Sequence, residues 1–494
     1  MKSQYLMAID QGTTSSRAII FNAKGELIAS ASEEFEQIYP DDAWVEHDPK
    51  AIWQTTLTSC QQVLAQSELN ANNIAAIGIT NQRETTLVWD KNTGETIYNA
   101  IVWQDRRTAS YCETLKQNPD IVAKINAKTG LLLDPYFSAT KIAWILDNIA
   151  GAREKAQAGQ LCFGTVDTFL LWQLTGGKSF ATDATNAART LLFNIVDNCW
   201  DQELLTLFNI PLTMLPEVKN SADNFGDTLS EHFGEAIAIK AMIGDQQAAL
   251  VGQACFDKGM MKSTYGTGGF VMVNTGADII YSQHQMLSTI AYRLADKNTY
   301  ALEGSIFMAG ATMQWLRDSL HLISHVEQSQ ALAQSLKGEN PVYLVPAFTG
   351  LGAPHWQPDA RGAIVGLTRD SGIKEIVTAA LASVAYQTQD LLTALAQDGV
   401  QTTQLRVDGG MVANDWLLQF LADILDLVIE RPKITETTAL GAALLAGLQQ
   451  GLFTDLEQAA KSWQVQAKFQ PVMTAESRER HYQGWLTALT RVLD

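Results

Sequence analysis

Short, nearly unbroken apolar runs alternate with stretches of helical period along the chain. Leu6-Met7-Ala8-Ile9-Asp10, Arg17-Ala18-Ile19-Ile20-Phe21 and Glu26-Leu27-Ile28-Ala29 predict three consecutive strands. They are separated by turns at Gln11-Gly12-Thr13-Thr14-Ser15-Ser16 and Asn22-Ala23-Lys24-Gly25. The arrangement returns after Met260, with Lys262-Ser263-Thr264-Tyr265 as strand, Gly266-Thr267-Gly268-Gly269 as turn and Phe270-Val271-Met272-Val273-Asn274 as strand. One such hairpin in each half predicts two related domains, 1–253 and 254–494, facing a shared cleft.

The remaining pattern alternates strand and helix, which predicts an α/β protein. Ile74-Ala75-Ala76-Ile77-Gly78-Ile79-Thr80, Thr85-Thr86-Leu87-Val88-Trp89 and Leu405-Arg406-Val407-Asp408 read as strands, the last ahead of a helix from about Asn414. Asp48-Pro49 marks a helix start, an N-cap followed by proline at the first helical position, and Ser138 another, ahead of Lys141-Ile142-Ala143-Trp144-Ile145-Leu146. The apolar run from Thr438 to Gly447 is about half the length that spans a bilayer, so it predicts a tightly packed core helix.

Composition narrows the class. The 494 residues are 46% hydrophobic and 18% charged, which excludes disorder and suits two or three domains with cores. A net charge of −18 repels nucleic-acid backbones and anionic lipid, but it does not forbid a small phosphorylated ligand held by local donors. Five scattered cysteines, Cys60, Cys112, Cys162, Cys199 and Cys255, fit small buried thiols in a reducing compartment. Met1-Lys2-Ser3-Gln4-Tyr5-Leu6 lacks a signal-peptide core, and these features together predict a cytoplasmic protein.

The first hairpin is the leading candidate for chemistry. In Asp10-Gln11-Gly12-Thr13-Thr14-Ser15-Ser16-Arg17, glycine lets backbone approach an anion, successive N–H groups and hydroxyls can wrap phosphate oxygens, and an aspartate at the strand end can hold Mg²⁺ through water. The alternative is a hydroxyl-rich β-turn; the second loop at Gly266 favours phosphate. Gly176-Gly177-Lys178-Ser179 lacks the upstream glycine of a P-loop and reads as a surface turn. Asp245, in Ile243-Gly244-Asp245-Gln246-Gln247, is a candidate general base or an ordinary helix cap. Arg83 and Glu84 either aim a five-donor fork and a two-oxygen acceptor into one cleft or form a surface ion pair.

These motifs carry a resemblance. Residues 9–17, Gly78-Ile79-Thr80-Asn81-Gln82-Arg83-Glu84-Thr85-Thr86, Tyr265-Gly266-Thr267-Gly268, Asp408-Gly409-Gly410, Trp44-Val45-Glu46-His47-Asp48-Pro49 and Ala347-Phe348-Thr349-Gly350-Leu351-Gly352-Ala353-Pro354 resemble the glycerol-phosphorylating branch of the FGGY carbohydrate kinases. Residues 136–148 meet one family signature in full, and residues 362–387 meet another except at Ala382, where an acidic or amide residue is usual. The resemblance implies two ribonuclease-H-like domains of the actin and Hsp70 ATPase type, and ATP-dependent phosphorylation of glycerol in glycerol uptake and degradation. It implies Asp245 as general base, and glycerol held by Arg83, Glu84, Tyr136, Asp245 and Gln246 between Trp103 and Phe270, for which core packing is the alternative. For ATP it implies Thr13, Thr14, Ser15, Arg17 and Thr267 at the phosphates, Gly310 and Gln314 at the nucleotide, and Gly410 and Asn414 at the adenosine end, with Mg²⁺ held through Asp10, Asp245 and water.

A homodimer or homotetramer is implied by the resemblance only. Ser230-Glu231-His232-Phe233-Gly234-Glu235-Ala236 has two glutamates and no arginine, so it fits an anionic effector such as fructose 1,6-bisphosphate poorly. His232 there resembles a loop that some bacterial members present to a phosphocarrier protein for phosphorylation; the alternative is an exposed loop histidine. Two other functions compete: a related kinase acting on a ketopentose or sugar acid, and a chaperone- or filament-like ATPase, which would leave Arg83, Glu84, Tyr136 and Asp245 without a task.

Overall fold

The computed structural model describes residues 5–357 and 359–493. Met1 to Gln4, part of the segment lacking a signal-peptide core, lie outside the described residues. Two large sheets organise the chain. The first contains β1 (Tyr5–Gln11), β2 (Ser15–Asn22), β3 (Leu27–Glu34), β4 (Ile74–Asn81), β5 (Ala222–Asp227) and β6 (Ala238–Gly244), in the order β5-β6-β4-β1-β2-β3. The second contains β7 (Met260–Tyr265), β8 (Gly269–Gly276), β9 (Leu287–Leu294), β10 (Lys297–Ile306), β11 (Gln404–Asp408), β12 (Ile429–Pro432) and β13 (Val465–Phe469), in the order β9-β10-β8-β7-β11-β12-β13.

The sheets share one pairing pattern. β1 is antiparallel to β2, which is antiparallel to β3; on its other side β1 is parallel to β4, and β4 to β6. Likewise β7 is antiparallel to β8 and β8 to β10, while β7 is parallel to β11 and β11 to β12. The hairpin recurrence in the sequence is therefore a recurrence of topology. β1 is buried from Leu6 to Gln11, as expected for a strand covered on both faces.

Some boundaries differ from expectation. Ser15 and Ser16 belong to β2, which confines the first turn to Gly12, Thr13 and Thr14. β3 runs on to Glu34, because this edge strand needs only one buried face and stays paired with β2 as far as Ser15. The strand expected from Thr85 begins at Leu87, since Glu84 (φ 60°) turns the chain out of β4 first. Cys199 is exposed, unlike the other four cysteines, and all five are free thiols.

Helices α1 (Pro49–Gln66), α2 (Ser138–Asn148), α3 (Asp245–Gly252), α4 (Gly310–Asp318), α5 (Ile373–Gln397), α6 (Asp415–Leu425) and α7 (Thr437–Gln449) cover and join the sheets. Asp48 caps α1 through Lys50 N, as expected. Ser138 does not cap α2: it is the first helical residue, and its hydroxyl donates to Glu84 O. Gly176 and Gly177 form the left-handed end of a helix, consistent with a turn. Ala382 lies buried in the apolar face of α5. No helix among the described residues is long and apolar enough to cross a membrane.

α7 comes from the second half of the chain yet packs on β1, β4 and β6 of the first sheet, and against α3. The joint depends on missing side chains. A Cβ on Gly441 would lie 1.9 Å from Ala248 O, one on Gly252 1.9 Å from Thr437 O, and one on Gly78 2.2 Å from Ala442 O. Gly441→Ala must therefore push α7 off α3, which carries Asp245 at its first residue. We expect a loss of about 1–3 kcal/mol, the usual cost of overpacking, read as a lower thermal midpoint.

Candidate functional site

Both hairpin turns are built so that their carbonyls are occupied while the amides at their tips are not. In the first, Gly12 O accepts from Gln11 Nε2 (2.8 Å) and Gln82 Nε2 (3.1 Å), Thr13 O from Gln37 Nε2 (3.0 Å) and Thr14 O from Phe35 N (3.3 Å). In the second, Gly266 O accepts from Gly310 N (2.9 Å), Thr267 O from Ala309 N and Ala311 N (3.0 Å each) and Gly268 O from Gly266 N (2.9 Å). Among the described residues the N–H groups of Thr13, Thr14, Thr267 and Gly268 have no protein acceptor. Carbonyls turned away and amides left free is the arrangement an anion requires.

Gly310 supports this second loop from the start of α4: its N–H is used by Gly266, and a Cβ would sit 2.6 Å from Gly266 O. Gln314 is exposed on the same helix. Gly410 is exposed after β11, following Gly409, whose φ of 92° and approach to Tyr265 O exclude a side chain. Asn414 caps α6 through Leu417 N and donates to Ser329, so part of its hydrogen-bonding capacity is structural.

Beside the first loop lies a ring cluster. Trp103 packs edge-on to Tyr136 (5.6 Å) and Phe270 (6.3 Å), and its indole N–H donates to Thr13 Oγ1 at 3.0 Å. Thr13 therefore links the first loop to the aromatic cluster. Around it runs a chain of alternating charge. Arg83 Nε meets Asp245 Oδ1 at 3.0 Å, while Arg83 Nη1 and Nη2 grip both oxygens of Glu303 at 2.5 and 2.9 Å. Arg189 Nη2 joins Glu303 at 3.2 Å, and Arg189 Nε reaches Glu84 at 2.5 Å.

Arg83 and Glu84 are thus buried in a network with Glu303 and Arg189, and the surface-pair reading fails. Burial works against Glu303, but Arg189 and Arg83 outweigh it and hold its carboxyl down at about 2. Burial raises Glu84, against the pull of Arg189 and Arg83. Asp245 is the first residue of α3 and Gly244 the cap, so the cap reading fails too; the Asp245 side chain stays 30% exposed toward the cleft.

Asp10, next to last in β1, is paired with Arg17 at 3.4 Å, and Arg17 also meets Glu436 at 2.9 Å, from just before α7. Burial pushes Asp10 up to about 6; Glu436 and Asp245 add to this and Arg17 opposes it. Arg17 does not offset the burial and the neighbouring carboxylates at Asp10, and a divalent cation would relieve them. Among the described residues no three His, Cys, Asp or Glu side chains converge as a ligand set, so a cation here would rest on the two aspartates and non-protein oxygens.

The N-terminal-domain model of the FGGY family of carbohydrate kinases matches residues 5–252, and the C-terminal-domain model matches residues 261–449. The chain belongs to the FGGY family of carbohydrate kinases. It is 61% identical to a glycerol kinase of Ectopseudomonas mendocina and 59% identical to one of Alteromonas mediterranea, over 99% of each chain. Its fold matches the crystal structure of Plasmodium falciparum glycerol kinase with ADP at a TM-score of 0.92 and 36% identity, covering 100% of this chain and 99% of that one.

Within this FGGY chain the sequence reading missed Glu303, Arg189 and Lys262. All three are buried, and Lys262 donates to Gln246 Oε1 (2.5 Å), Thr264 Oγ1 (3.1 Å) and Phe270 O (3.4 Å). The available signal was a lone charge inside an apolar run, as in Tyr300-Ala301-Leu302-Glu303 and Met260-Met261-Lys262, which demands a buried partner. His232 is not a freely exposed loop residue. It sits half-buried on the short helix Ser230–Phe233, its ring 5.3 Å from that of Trp53 and its Nε2 3.4 Å from Gln173 O.

Proposed function

We propose that this FGGY kinase transfers the γ-phosphoryl group of ATP to glycerol, giving sn-glycerol 3-phosphate, with domains 1–253 and 254–494 closing on the substrates. Near-full-length identity of 59% and 61% to glycerol kinases carries the reading. Asp245 orients the attacking hydroxyl and accepts its proton, while Arg83, Glu84, Tyr136 and Gln246 bind the triol and Trp103 and Phe270 cover its carbons. The free amides of the two loops, with Thr13, Thr14, Ser15, Arg17 and Thr267, take the phosphates. Gly310, Gln314, Gly410 and Asn414 line the adenosine side. Mg²⁺, when bound through Asp10, Asp245 and water, neutralises charge across the phosphates. Closure excludes water, which otherwise competes as acceptor.

A coupled assay of ADP release with glycerol, xylulose, gluconate or no acceptor tests this directly. Glycerol should be strongly preferred; preference for another acceptor would move the chain to a different branch, and acceptor-independent hydrolysis coupled to polymerisation or client binding would favour a switching ATPase. Protons should compete with Mg²⁺ at Asp10. Burial pushes its carboxyl up to about 6, so protons compete increasingly with the cation as the pH falls below that value. The Mg²⁺ concentration giving half-maximal activity should rise steeply one pH unit below 6 and stay flat one unit above it.

A homodimer or homotetramer in the cytoplasm, and phosphorylation of His232 by a phosphocarrier protein, complete the proposal. Phosphorylation at Nε2 would have to free that atom from Gln173 O. Absence of phosphohistidine on peptides containing His232 after incubation with a phosphorylated phosphocarrier would end the last idea.

A further inference from the structure

We propose that Lys262 is a positioning residue that fixes the orientation of the Gln246 amide, so that its NH₂ group is the one turned to the glycerol site. The inference rests on the glycerol kinase reading and deepens it. An ammonium carries three N–H donors and no lone pair. All three of Lys262 are matched, by Gln246 Oε1, Thr264 Oγ1 and Phe270 O. Turning the Gln246 amide over would set its NH₂ group against the ammonium, donor to donor. Its Oε1 is therefore turned to the ammonium and its Nε2 away from it; among the described residues Nε2 has no protein partner and is left for a ligand.

The backbone of Gln246 is held as well, its N–H donating to Asp245 Oδ1 at 2.7 Å. Lys262 and Phe270 belong to the second sheet and Gln246 to α3, so one buried side chain ties a polar substrate contact to an aromatic wall across the joint. A lysine is a costly way to fill this space: it must be dehydrated, and no carboxylate lies within ion-pair distance of its Nζ among the described residues. Packing alone would be served by methionine. An NH₂ group held in this orientation selects for an oxygen lone pair on the substrate, which a hydroxyl supplies and a C–H does not.

The test compares Lys262→Met, Gln246→Leu and the double variant on glycerol and on its deoxy analogues propane-1,2-diol and propane-1,3-diol. For Lys262→Met the glycerol KM should rise by up to about 10-fold, the worth of the neutral hydrogen bond from Gln246 to a hydroxyl that is weakened when the amide is free to turn. ATP KM and thermal midpoint should hold, and discrimination against the deoxy analogue that the wild type rejects most should shrink. The double variant should be no worse than Gln246→Leu alone. Lys262→Gln, which keeps one donor for Gln246, should show a smaller rise than Met and covers the case in which the methionine variant does not fold.

An unchanged glycerol KM in Lys262→Met, or a penalty that adds in full to that of Gln246→Leu, overturns the assignment while leaving the reaction intact. Absence of glycerol turnover in the wild type overturns the reaction, and the assignment with it.

Discussion

Asp245→Asn is expected to lower kcat for glycerol phosphorylation on the order of 10²- to 10⁴-fold, the range a positioned general base supplies. Nucleotide affinity should change little. The substitution keeps the size of the side chain and an oxygen acceptor for Arg83 Nε, now at 3.0 Å, but removes the basic lone pair. The competing explanation for an essential aspartate at a helix start, an N-cap, does not apply, because Gly244 occupies the cap. A loss of activity therefore cannot be charged to a frayed helix, and the thermal midpoint should confirm this by staying near wild type. Steady-state kinetics with calorimetric titration of ADP separates the effects. Near wild-type turnover would remove Asp245 from the mechanism.

The part of the site that could be read in the sequence is the part made by local chain geometry. Asp10 to Arg17 and residues 260–274 announce themselves because strand, turn and strand are consecutive, and a glycine and hydroxyl-rich turn needs no distant partner to be recognised. Arg83, Glu84 and Asp245 could be nominated by type and by resemblance, but their partners could not. Glu303 lies 220 residues from Arg83, and Arg189 lies 105 from Glu84. Nothing periodic links them. The same holds for α7, whose small-residue pattern predicts tight packing while its crossing to the first sheet depends on Gly441, Gly252 and Gly78 meeting carbonyls that no local pattern locates.

The long-range network is where the second large effect is expected. Glu303→Gln keeps the shape of a side chain that touches no predicted substrate atom, yet it removes the anion shared by Arg83 and Arg189. Two buried guanidinium groups are then left facing a neutral amide, and breaking a buried pair this way costs about 3–5 kcal/mol. A fall in thermal midpoint should be joined by a rise in glycerol KM, because Arg83 carries Asp245 and Arg189 carries Glu84. Acid titration gives a signature that packing damage does not. Glu303 drops from an ordinary 4.5 to about 2 in the folded chain, so its contribution is complete above 4.5 and is lost as pH falls through about 2. Wild type should lose that increment in acid, and Glu303→Gln should have none to lose. A double-mutant cycle with Arg189→Gln completes the argument. If the five groups act as one relay, the two substitutions break the same bond and their costs should fall short of additivity by about 0.5–3 kcal/mol. Additive costs would mean that Glu303 steadies Arg83 alone, and that Glu84 is positioned independently of Asp245.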